Sequence, residues 1–245
     1  MTSNRKIALA AGVFFVITFV TSIPALYLFE PVLRNPAGYI AGSGADNTRI
    51  FVGATLELLL ILANVASAVV LYPILKRQNE MLALGYVTAR LVESAFIGVG
   101  LVSVLGVVSL QQQNPAGADA GTIGVALAAI KDWTFLLGPG FIVGVGNGLL
   151  LGYLMYRSGL VPRRMAVLGL VGGPLICVSG ILVLLGIIAD GGAGQGVATA
   201  PEFLWELSLG VWLIVRGFNP SPILPPDGDS LRRRAPHIGV AAAGD

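Results

Sequence analysis

The sequence predicts an all-α membrane protein, a six-helix transmembrane bundle with both termini cytoplasmic. Three observations carry this. Of 245 residues 55% are hydrophobic and only 11% charged, mean hydropathy is +0.83, and the basic residues lie almost entirely in alternate loops. A soluble domain needs about a quarter of its residues charged to wet its surface, so this chain's main solvent is lipid. The single cysteine and single histidine exclude a disulfide framework, a Cys-cluster metal site and bis-histidine haem. A net charge of +2 with scattered basic residues gives no nucleic-acid surface. No cofactor or metal is expected.

Crossing about 30 Å of hydrocarbon takes roughly 20 apolar residues, because a helix rises about 1.5 Å per residue and satisfies its own backbone. Six stretches qualify or nearly do: 7–29, 50–75, 82–110, 133–156, 165–188 and 203–218. The last is short, but Trp205 and Trp212 flank it as interfacial aromatics do. The first follows Arg5 and Lys6 like a signal peptide, yet runs long for one, so it reads as an uncleaved span. Arg5, Lys6, Lys76, Arg77, Arg157, Arg163, Arg164, Arg216 and Arg232 to Arg234 fall on one side, and Arg34, Arg49 and Lys131 on the other. Basic residues resist translocation, so the first set marks the cytoplasm. Residues 30–49 and 111–131 read as outer loops, with a short interfacial helix over 122–130, and Gly191 to Gly196 as a flexible outer loop without a phosphate-binding lysine. Residues 1–218 then form one transmembrane domain, and the Pro- and Arg-rich 219–245 a disordered cytoplasmic tail.

Gly140, Gly144, Gly148 and Gly152 repeat at spacing four and line one face of the fourth span with bare backbone, against which another helix can pack closely. Gly169 and Gly173 offer a face within the chain. A homodimer seam, or another membrane protein, is the alternative partner besides the lipid bilayer. Pro24, Gly138-Pro139-Gly140 and Gly172-Gly173-Pro174 interrupt spans and are expected to kink or open them. Breaks of this kind free backbone groups for ligands in transporters, although packing kinks are commoner.

Ionisable groups inside hydrocarbon cost about 2.5–3.5 kcal/mol each on insertion scales, so they face a partner or a wet cavity. Helical rise puts Glu57 about 10 Å below the outer boundary and Arg90 and Glu93 about 12 and 17 Å above the inner one, with Asn64 and Asn147 near Arg90 in height. Glu57, Asn64, Arg90, Glu93 and Asn147 therefore form a candidate polar cluster, either an ion or substrate site or a structural Arg–Glu pair that sets helix register. Lys131, Asp132, Glu202 and Glu206 read as a solvated outer rim beside Trp133 and Trp205. No catalytic residues can be assigned: His237 lies in the tail, Cys177 has no nearby base in sequence, and no Ser–Lys or Ser–His pair lies at membrane depth. A carboxylate-only lipid enzyme is the weakest of three readings, after a small solute or ion/proton-coupled transporter and a structural or regulatory membrane partner. A short match of Glu57-Leu58-Leu59-Leu60 to Glu206-Leu207-Ser208-Leu209 hints at hairpin duplication.

Four strings carry a family likeness. They are Phe19 to Leu26 (FVTSIPAL), Leu71 to Glu80 (LYPILKRQNE), Asp132 to Pro139 (DWTFLLGP) and Leu151 to Pro162 (LGYLMYRSGLVP), and Trp205 to Trp212 (WELSLGVW) adds to them. The chain from about Lys6 to Asn219 resembles the bacterial membrane proteins grouped as domain-of-unknown-function family 4386. The resemblance implies a one-domain polytopic protein, with the bacterial cytoplasmic membrane as its expected setting, and brings no activity with it.

Overall fold

The computed structural model describes residues 3–42, 45–113 and 118–224. Among these every regular element is helical: α1 (Ser3–Arg34), α2 (Pro36–Ile40), α3 (Asn47–Leu75), α4 (Glu80–Gln113), α5 (Ala118–Leu137), α6 (Gly152–Ser158), α7 (Arg163–Leu184) and α8 (Ala193–Val215). Two π-wound segments, Gly138–Ile142 and Gly144–Leu151, join α5 to α6 as one rod. Six helical rods are long and apolar enough to cross a membrane: Ser3–Arg34, Asn47–Leu75, Glu80–Gln113, Asp119–Ser158, Arg163–Leu184 and Ala193–Val215.

Helices α1, α3 and α4 enclose the stretches 7–29, 50–75 and 82–110, and α7 covers 165–188 except for its last four residues. The fourth and sixth begin earlier than expected. In place of a separate interfacial helix followed by a span from Trp133, one helix runs unbroken from Ala118 through Lys131. Its rod of 40 residues is far longer than the roughly 20 that hydrocarbon requires. Its excess packs against α2 and the far end of α4: Ala120 joins Tyr39, Ile40, Val104, Val107 and Val108 in one core cluster. The sixth span starts at Ala193 and passes through Pro201, where a helix loses one amide bond.

The rods close into a ring in the order α1, α3, α4, α5 with its π segments, α7 and α8, and α8 returns against α1. That return brings the start of α1 against the end of α8. The Arg5 guanidinium donates to the carbonyls of Leu213 at 2.8 Å and Ile214 at 2.5 Å, placing a cation on the otherwise unpaired C-terminal carbonyls of α8. The rods pack here around Phe15, Leu71, Tyr86, Leu154, Trp205 and Leu209. Asn219, the first residue of the segment expected to be a tail, donates its amide to the Leu160 carbonyl at 2.8 Å, and the Ser221 hydroxyl donates to that of Ser158 at 2.8 Å. The rest of that segment, from Pro225 with Arg232 to Arg234 and His237, lies outside the described residues.

At the opposite end α2 is tied down by polar contacts. The Tyr39 hydroxyl donates to Asn47 Oδ1 at 2.6 Å, and Asn47 Nδ2 donates to Gln111 Oε1 at 2.9 Å. Burial, with the Asp46 carboxylate nearby, pushes the Tyr39 hydroxyl above its usual range, so it stays protonated and able to donate.

Candidate functional site

Along the fourth rod glycine decides how close its neighbours come. A Cβ on Gly144 would lie 2.7 Å from the Gly173 carbonyl oxygen, one on Gly148 would lie 2.4 Å from Gly173 Cα, and one on Gly152 would lie 3.3 Å from the Leu170 nitrogen. Gly140 meets Gly180 of the same neighbour, whose added Cβ would lie 3.4 Å from the Gly140 carbonyl oxygen. Gly144, Gly148 and Gly152 therefore face α7 inside the chain, whereas a Cβ on Gly140 would meet its own segment, 3.3 Å from the Phe135 carbonyl oxygen. Nor does the Gly138-Pro139-Gly140 element open. The Val143 amide bonds back to the Gly138 carbonyl and the Gly152 amide to that of Asn147, five residues back rather than four. The missing proline amide is thus absorbed as wider winding, a feature that recurs at functional sites. Pro24 and Pro174 sit within α1 and α7, which continue through them.

Three polar groups meet inside the ring. Nearest the end where α1 starts and α8 stops, Arg90 donates to Glu93 Oε2 at 2.8 Å and to Asn64 Oδ1 at 2.5 Å, while Asn64 Nδ2 donates to Glu93 Oε1 at 3.1 Å. Arg90 is 1% exposed and stands over the Phe15 ring at 5.9 Å. Every charge in this triangle has its counter-charge, as burial requires.

The second group pairs Glu57 of α3 with Lys131 of α5. Lys131 is 4% exposed, its ammonium lies 5.3 Å from the Phe29 ring centre, and its stem crosses Gly100, where a Cβ would fall 2.9 Å from Lys131 Cδ. Glu57 and Glu93 thus occupy separate pairs.

The third group lies on α8. Glu206 accepts from Asn147 Nδ2, and the Asn147 carbonyl accepts from Trp205 Nε1 at 2.9 Å. One turn away, Glu202 is 2% exposed, and neither of its carboxylate oxygens has a hydrogen-bond partner. Its place is made by glycine, since a Cβ on Gly148 or Gly172 would lie 2.7 or 2.9 Å from Glu202 Oε2. The expected solvated rim therefore fails for three of its four members. Lys131, Glu202 and Glu206 turn inward and only Asp132 is exposed.

A cavity of about 210 Å³ joins these groups; Glu57, Glu93, Lys131, Glu202 and Glu206 all line it. A second cavity of about 440 Å³ shares the walls Leu26, Lys131, Phe135, Pro139, Ile176 and Thr199 and reaches Asp132, Asp190 and Gln195 toward the end where α8 starts. Lys131 answers Glu57 and Arg90 answers Glu93, whereas no ion pair among the described residues includes Glu202 or Glu206. The cavity's wall thus carries two more carboxylates than its ion pairs neutralise. Among the described residues no group of three His, Cys, Asp or Glu side chains is placed to hold a metal ion.

Six apolar rods closed around a charged, glycine-cradled cavity define a multi-pass membrane protein. The family model described as domain of unknown function DUF4386 matches residues 10–217, and the chain belongs to that family. No curated protein and no solved structure matches it.

Proposed function

We propose that this protein is a small permease of the bacterial cytoplasmic membrane that couples solute movement to a proton or cation at Glu202 and Glu206. The carrying observation is the Glu202 carboxylate, buried, without a hydrogen-bond partner, and in the wall of a cavity. A buried carboxylate without a base is stabilised only by taking up a proton or a cation, and its helix neighbour Glu206 doubles that demand. Glu57 with Lys131, and Glu93 with Arg90 and Asn64, would hold the walls. The end bearing Arg5, Lys6, Lys76, Arg77, Arg157, Arg163 and Arg164 would face the cytoplasm, which would put the Asp132 and Asp190 mouth outside.

Liposomes containing the full chain and a lumenal pH dye test this against a panel of ammonium, carboxylate and neutral solutes. Wild type should move protons with at least one solute, and E202Q or E206Q should slow that movement at least tenfold with insertion unchanged. Rates equal to empty liposomes across the panel would refute it. A second reading, a structural membrane partner without flux, draws on the closed Arg90–Glu93–Asn64 triangle and predicts that outcome instead.

A further inference from the structure

Apart from its carboxylates and the Lys131 ammonium paired with Glu57, the cavity is walled mainly by hydrocarbon and aromatic rings. Phe19 and Phe29 of α1, Phe135 of α5 and Phe203 of α8 all line it. On one side the wall is thin. Ile23, Leu26, Phe135 and Phe203 are 41–48% exposed on the apolar outer surface while also facing the cavity. There α1 and α8 are bridged by the edge-on pair of Phe19 and Phe203, with ring centres 5.0 Å apart. An occupant that takes the place of the proton on Glu202 must therefore tolerate an apolar, lipid-adjacent chamber and carry a positive charge.

We infer that the cavity binds an amphiphilic organic ammonium ion, one protonated amine on an aromatic or aliphatic body, with the amine on Glu202 and Glu206 and the body among Phe19, Phe29, Phe135 and Phe203. This rests on the permease reading of the same cavity. Carboxylate and ring faces together suit an ammonium, whereas a hard metal cation takes six or more oxygen ligands and among the described residues no three His, Cys, Asp or Glu side chains are grouped to hold one. Size agrees: an engineered cavity of about 150 Å³ takes up benzene, so about 210 Å³ has room for a ring with a short aminoalkyl arm. Asp132 and Asp190 at the connected second cavity give the approach the matching sign. The ammonium can belong to a free amine or to a lipid headgroup.

Calorimetric titration of the full chain in phosphatidylglycerol nanodiscs, with empty nanodiscs as blanks, tests this with three isosteric probes: phenethylammonium, 2-phenylethanol and phenylacetate. Wild type should bind phenethylammonium saturably, at least tenfold tighter than the alcohol, and should not bind the anion. E202Q should remove the preference for the cation. The wild-type comparison needs no variant, so misfolding of E202Q cannot rescue the inference. Equal affinity for cation and alcohol, or no saturable binding, overturns it. Replacing part of the lipid with phosphatidylethanolamine separates the sources: competition with phenethylammonium assigns the site to a headgroup amine, and its absence to a free amine. Cation binding with no flux in liposomes would sustain this inference and defeat the permease reading; Glu202-dependent proton movement without cation binding would do the reverse.

Discussion

Gly148→Leu is expected to leave no correctly folded bundle. The glycine backbone meets α7 so closely that even a Cβ would lie 2.4 Å from Gly173 Cα and 2.8 Å from its nitrogen, and 2.7 Å from Glu202 Oε2. Two of those atoms are backbone on a packed helix, so neither a rotamer change nor a small shift relieves the clash. Overpacking ordinarily costs about 1–3 kcal/mol where side chains can yield, and here the helices must part. In lipid, helix association depends on close van der Waals contact across small residues rather than on apolar burial, so parting α7 from the fourth rod removes the force that joins them. Size-exclusion profiles in detergent, with thermal melting of whatever is recovered, should show aggregation or a large drop in midpoint. Gly159→Leu is the comparison in open space, since nothing lies within 4 Å of its Cβ position; its positive φ of 67° adds only local strain.

Arg90→Met is expected to be the most destabilising change of a charged residue. It removes both the 2.8 Å bond to Glu93 and the 2.5 Å bond to Asn64 and strands the Glu93 carboxylate, which is 5% exposed. Breaking one side of a buried pair costs about 3–5 kcal/mol, whereas replacing both sides with apolar residues is often neutral. Arg90→Met with Glu93→Met should therefore recover most of the loss in melting temperature. Recovery in the double variant marks the pair as structural. A double variant as unstable as Arg90→Met alone would mean that the triangle does more than balance charge.

What a single sequence discloses about this protein follows from the range of the forces involved. Span existence was readable because twenty consecutive apolar residues have few other folds open to them. The Arg90–Glu93 contact was readable too, because spacing three sets both side chains on one helix face. Lys131 misleads because hydropathy changes at Trp133 and not at the helix start. Yet Lys131, Thr134 and Gly138 share the buried face of a helix that begins at Ala118 while Asp132, Trp133 and Phe135 are exposed, so helical phase carried the signal that the hydropathy window hid. Glu202, Trp205 and Leu209 show the same periodic burial on α8. What no periodicity reveals is the room beside Glu202, which exists because Gly148 and Gly172 on two other segments lack side chains. The glycine ridge itself was visible, and its partner, α7, emerges only from the ring order of the helices.

Mass-spectrometric mapping of an apolar carbodiimide on the membrane-embedded chain tests the unpaired acids most directly, since the reagent attacks protonated carboxyl groups in apolar surroundings. Adducts should form at Glu202 or Glu206, with Glu57 and Glu93 spared by Lys131 and Arg90. Adducts at Glu57 or Glu93 with α8 unmodified would contradict the assignment of the unpaired acids to α8.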